Sequence, residues 1–143
     1  MNYFVGRKGG WIMRRAAIAS LFLLGCLLGL QAKAEEVANP VATFAGLDKI
    51  TARMIQFDVY IDETVQFGSL QVTPRVCYTR PETERQEETA FVEVDEITLE
   101  RKVRRIFTGW MFASSPGMNA VEHPVYDVWL VGCKQNTDVP KPN

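Results

Sequence analysis

Apolar residues fill every odd position of Ile55-Gln56-Phe57-Asp58-Val59-Tyr60-Ile61, and mainly polar ones the even positions. A period of two marks a strand with one face buried. Asp62-Glu63-Thr64 can turn the chain, and Val65 to Val72 resumes the alternation with a slip, since Val65 and Phe67 are odd but Leu70 and Val72 even. Gly68 stands at the slip, where a bulge or bend restores the facing. Leu70, Val72, Val76 and Tyr78 then keep one face, Cys77 takes the other, and Pro74 belongs at an edge or a bulge. Arg80 to Thr89 is too polar to pack and reads as a solvated loop. Ala90 to Ile97 reads as a strand, Leu99 to Arg105 is charged, and Ile106 to Phe112 returns to apolar and aromatic residues. Val125 to Cys133 is apolar on both parities except at Asp127, which predicts a central strand covered on both sides. Helical signals are short, at Gly46 to Ala52 and Glu96 to Arg105, and no internal repeat is found. Several short strands with turn residues between them predict a mainly β fold, a small antiparallel sandwich or barrel.

The first 34 residues read differently. Arg7, Lys8, Arg14 and Arg15 precede an apolar run of 15 residues, Ala16 to Leu30, and Ala32-Lys33-Ala34 then supplies an A-x-A cleavage pattern. Together these predict a secretory signal peptide. The run is shorter than the roughly 20 residues that span a bilayer. Leu23-Leu24-Gly25-Cys26 also resembles a lipobox with a lipid on Cys26, although apolar Leu27 and Leu28 and the downstream A-x-A site favour cleavage. The Arg14-Arg15 pair lacks the rest of a twin-arginine pattern. The expected organisation is a signal peptide over 1–34, an extended leader over 35–43, a β domain over 44–134 and a flexible tail over 135–143.

Export changes what the cysteines and charges mean. Without Cys26 the chain keeps Cys77 and Cys133, and a pair in an oxidising compartment is most simply a disulfide, two buried thiols being the alternative. The bridge would enclose the 55 residues from Tyr78 to Gly132. The whole chain has a formal charge of −1, but residues 35–143 hold 11 basic and 17 acidic residues, a charge of −6. So acidic a domain is a poor partner for nucleic acid, whose phosphates need a basic surface.

With this pattern in hand, several stretches are recognisable. FAGLDKITAR (Phe44 to Arg53), FGSLQVTPRVCYTRP (Phe67 to Pro81), AFVEV and GWMFASSPGMNAVEHPVYDVWLVGCK (Gly109 to Lys134) resemble a family of small exported bacterial proteins. That family is classified only as a domain of unknown function and is found largely in alphaproteobacteria. The resemblance covers about residues 40–134. It implies a Gram-negative envelope location and a single small domain, and it brings no activity or catalytic residue with it.

The most chemically suggestive stretch is Gly109 to Pro124, with Ser114, Ser115 and the only histidine, His123. A hydrolase reading makes either serine the nucleophile, His123 the base and Asp127 or Glu122 the orienter. No G-x-S-x-G elbow exposes a serine, and Ser-Ser-Pro-Gly is turn chemistry. Met111, Met118, His123 and the cysteines lack metal-ligand spacing, so neither metal nor cofactor is implied. The acids Glu82, Glu84, Glu87 and Glu88 read as a solvated face rather than a paired-carboxylate site. Arg101, Lys102, Arg104 and Arg105 suit either anionic headgroups or another subunit, or else pair with the Glu82–Glu88 loop.

These readings predict a periplasmic, envelope-associated binding or assembly protein. Its expected contact loop includes Trp110, Ser114, Ser115, His123 and Tyr126, and its partner is an unidentified envelope protein or ligand. Membrane attachment is expected only through an uncleaved signal or a lipid on Cys26. The alternative is a small periplasmic hydrolase using Ser114 or Ser115 with His123.

Overall fold

A computed structural model describes residues 35–142, so the expected signal peptide, its cleavage site and Cys26 lie outside the described residues. Among the described residues there are eight strands: β1 (Val37–Ala38), β2 (Val41–Asp48), β3 (Arg53–Tyr60), β4 (Val65–Phe67), β5 (Leu70–Thr79), β6 (Glu88–Ile97), β7 (Val103–Phe112) and β8 (Tyr126–Lys134). All pairings are antiparallel. One sheet has the order β1-β5-β6-β7, with β4 beside β5 on the edge it shares with β1, and the other has the order β3-β2-β8. Ala42 and Phe44 of β2, Val59 of β3 and Val128 and Leu130 of β8 face Leu70, Val72, Val92, Val94 and Met111 of the first sheet, forming one core. The expected β-sandwich is the fold observed.

The Cys77–Cys133 disulfide joins β5 of one sheet to β8 of the other, with Cα atoms 5.7 Å apart. Two bulges make this possible. In β5 the register shifts between Pro74 and Val76, where the pattern marked Pro74. The shift reverses the facing, so Pro74 and Cys77 are both buried while Val76 and Tyr78 turn outward. Leu70, Val72, Val76 and Tyr78 therefore do not share one face. In β8 a shift opposite Thr43 and Phe44 lets Leu130 and Cys133 both point inward, three residues apart. A regular strand would send one of them outward.

Other expectations also change. Gly68, at φ 59°, sits in the tight turn joining β4 to β5, so the parity slip there is a hairpin reversal. Neither helical signal forms a helix. Gly46 to Ala52 is the end of β2 and its turn, while Glu96 to Arg105 spans the β6–β7 hairpin. Pairing across both hairpins satisfies the backbone that a short helix would leave half unbonded. The leader is shorter than expected, because β2 begins at Val41 and buries Val41, Ala42 and Thr43.

β8 is an edge strand, not a central one; β2 holds the centre of its sheet. Its outward apolar residues are covered on one side only, leaving Trp129 half-buried and Val131 exposed. The tail is tied down rather than loose. Thr137 donates to Asp58, Tyr60 Oη donates to the Val139 carbonyl at 2.8 Å, and Gln135 donates to Asn39 Oδ1 at 2.7 Å. Burial disfavours ionising Asp58, but hydrogen bonds from Thr137, Thr43 and Lys134 outweigh it and hold its pKa below the ordinary carboxylate range.

Candidate functional site

The β7–β8 connection, residues 113–125, closes the side of the sandwich where both strands are edges. His123 anchors it. Its Nδ1 accepts the backbone N–H groups of Val125 and Tyr126, each at 3.1 Å. An acceptor cannot carry the ring proton of a neutral imidazole, so that proton sits on Nε2, 3.1 Å from Glu96 Oε1. The His123 side chain is only 7% exposed and stacks on Tyr126. Arg104 and then His123 hold the Glu96 carboxyl below its usual range. Lys49 fastens the same corner, donating to the His123 carbonyl at 2.7 Å and pairing with Asp127 at 3.0 Å.

Both nitrogens of His123 are thus committed within the fold, and neither faces Ser114 or Ser115. Asp127, the expected orienter, pairs with Lys49 instead. The serines lie in consecutive turns, where the Ser115 N–H donates to the Phe112 carbonyl and the Met118 N–H to the Ser115 carbonyl. His123 and Tyr126 were expected on the contact loop, but both turn inward. Tyr126 packs edge-on against Phe67 at 5.5 Å, and burial suits both rings because the imidazole is hydrogen-bonded at both nitrogens and the tyrosine ring is largely apolar. Replacing His123 with alanine orphans two backbone N–H groups and one carboxylate contact. The expected loss is about 2 kcal/mol, read by urea unfolding.

Glu96 has a folded pKa below its unfolded one, so its stabilisation is present above the unfolded value and lost as pH falls through the folded value. A Glu96→Gln variant should lack that part of the acid sensitivity, with a flatter unfolding midpoint as pH is lowered. An unchanged slope would remove Glu96 from the account.

Trp110, expected on the contact loop, lies instead within β7, and it has company that the sequence pattern missed. It sits on the outer face of β7 directly across from Phe91 of β6. Their rings meet edge to face at 5.5 Å, and Trp110 also stacks on Tyr78 of β5 at 6.3 Å. Trp110 remains 40% exposed. Tyr78 was hidden from the sequence reading by the β5 bulge, while the alignment of Phe91 with Trp110 needs the β6–β7 register. A separate apolar cleft of about 330 Å³ opens between Pro116, Gly117, Ala120 and Val121 of the connection and Asp127, Val128 and Trp129 of β8.

The basic residues resolve too. Arg104 pairs with Glu96, and Arg105 pairs with Asp95 and with Glu93, which also takes Arg75. The acidic loop pairs with Arg80 instead, through Glu84 and Glu87. Arg101 and Lys102 form no ion pair among the described residues.

Fold and surface together define a small disulfide-bridged β-sandwich with an aromatic cluster on one outer face. The chain belongs to a bacterial family, described as an uncharacterized protein conserved in bacteria (DUF2155), which it matches over residues 42–133. It is similar to uncharacterized protein RP359 of Rickettsia prowazekii (strain Madrid E), at 25% identity over 87 residues. That alignment covers 61% of this chain, which spans 56% of the relative's length. No solved structure matches.

Proposed function

We propose that the protein is exported to the periplasm and acts there as an envelope-associated binding or assembly module, working by contact rather than catalysis. The N-terminal charge, apolar run and A-x-A pattern support export, and the disulfide is consistent with an oxidising compartment. The observation that carries the contact reading is Trp110, left 40% exposed on a rigid sheet face and braced by Tyr78 and Phe91. A large aromatic ring held in one orientation loses little freedom on binding, and such residues dominate interface energies. The commitment of His123 to its own loop weighs against the alternative reading, a serine hydrolase that would use it as the base.

A photo-crosslinking residue at Thr108, on the same outer face of β7, tests this in intact cells. The expected result is consistent capture of one or two envelope proteins. Trp110→Ala should reduce that capture by about tenfold or more while leaving folding stability within about 1 kcal/mol of the parent. Equal capture by both proteins would take the aromatic face out of the contact surface.

A further inference from the structure

Antiparallel pairing turns the backbone groups of alternate residues toward the partner strand and those of the residues between them away from it. Along β7 the phase is fixed by one bond, from the Ala113 N–H to the Glu88 carbonyl at 3.0 Å. Counting back by twos through the β6–β7 register, Met111 bonds to Ala90, Gly109 to Val92 and Phe107 to Val94. Thr108 and Trp110 therefore direct their N–H and C=O groups to the open side of β7, where no other strand pairs. Asn119 of the connection closes one of these groups, donating from Nδ2 to the Trp110 carbonyl at 2.7 Å. The Thr108 N–H and carbonyl and the Trp110 N–H have no partner among the described residues, and Thr108 is exposed.

The other edges differ. β1 and β4 cover β5. On β8 the outward N–H groups of Tyr126 and Cys133 are taken by His123 and Glu88, and Val128 between them is buried. β3 is open at Met54 and Gln56, flexible chains with no braced ring beside them. On β7 the protection is uneven. Its first half carries Arg104 and Arg105 and a register shift opposite Val94 and Asp95, devices that discourage a further strand. From Phe107 to Trp110 there is no charge, no proline and no shift. Free donors and acceptors at strand spacing are complementary to a backbone in extended conformation.

Building on the contact reading of Trp110, and resting on it, we infer that the partner's binding element is an extended segment that adds to β7 as a further strand. Its backbone bonds to Thr108 and to the Trp110 N–H. On the outer face it sets an apolar side chain beside the Trp110 ring, as cross-strand neighbours do. Backbone bonds then supply the register, and the braced indole supplies the side-chain preference. A second copy of this chain is the poorer occupant, because residues 35–143 carry a formal charge of −6 and two such domains repel.

The test places a photo-crosslinking residue at Ser114, exposed just beyond β7, in intact cells. Thr108→Pro removes an N–H that β6 does not use, so the β6–β7 ladder survives while an added strand loses a bond and meets the ring. It should lower capture by about tenfold or more. Thr108→Val keeps the N–H and should capture as the parent does, and unchanged thermal unfolding of both variants shows that the fold survives. A second arm leaves the protein unaltered. Overlapping synthetic peptides of the captured protein are added to residues 35–143, which hold both sheets, the core and the disulfide. One peptide should bind and slow hydrogen exchange at the Thr108 and Trp110 amides. Its affinity should fall about tenfold when alternate residues are N-methylated, and not when the residues between them are. Capture that depends on Trp110 but is indifferent to Thr108→Pro overturns strand addition and leaves the contact reading standing. No capture by the parent overturns both. An equal loss with Thr108→Val, or peptide binding that ignores N-methylation, assigns the contact to side chains and sinks the added strand. So does a dimer of the domain that Thr108→Pro dissociates, which gives this edge to a second copy of the chain.

Discussion

Replacing Cys77 and Cys133 together with alanine should lower the unfolding free energy by about 4 kcal/mol. The cysteines are 56 residues apart in sequence, so the bridge removes a large loop's freedom from the unfolded chain. A domain of this size has roughly 5–15 kcal/mol in all, so the loss takes a large part of its stability. The bridge also spans the two sheets, joining β5 to β8 where no backbone hydrogen-bond ladder connects them. Denaturant unfolding of the oxidised parent beside the double variant measures the effect. In thermal unfolding the midpoint should drop by about 20 °C. A change of less than about 1 kcal/mol would mean that core packing alone holds the sheets together.

The second large effect is expected at Gly46. In a strand interior, alanine usually gains about 0.5–1 kcal/mol over glycine by restricting the unfolded chain. Here the balance runs the other way. A Cβ on Gly46 would lie 2.7 Å from the nearest ring atom of Phe67. Phe67 cannot easily move aside, because Phe57 stacks at 5.8 Å and Tyr126 meets it edge-on at 5.5 Å. Overpacking at such a site costs about 1–3 kcal/mol. Gly46→Ala should therefore destabilise by about 2 kcal/mol, and Gly46→Val by more. Combining Gly46→Ala with Phe67→Leu should recover part of the loss, a coupling that a double-mutant cycle reads directly. If alanine at position 46 proves neutral, the ring has room to move and the close contact is not a constraint.

Much of the strand pattern was legible because alternation reports directly which face is buried. Ile55 to Ile61 and Ala90 to Ile97 read as strands and are strands, β3 and β6 covering most of each. The Trp110 end of the candidate site was legible as an aromatic residue in a turn-rich segment. His123 was legible as unusual but misleading as chemistry. A lone histidine beside serines reads the same whether it activates a hydroxyl or caps a loop. Only the positions of the Val125 and Tyr126 amides and of Glu96 separate the two roles. Val125 to Cys133 was read as central because apolar residues on both parities look alike whether a neighbouring strand or a loop covers the second face.

The sequence by itself determined that residues 44–134 form a mainly β domain, because alternation and turn residues are local and leave few other folded states. The Cys77–Cys133 pair was already named by the cysteine count, but tertiary structure alone decided that Tyr78 joins Trp110 outside and that His123 turns inward. Each of these depends on a bulge, a register or a loop closure. A single extra residue in a strand reverses the facing of everything after it, and nothing in the local pattern records where the partner strand absorbs that shift.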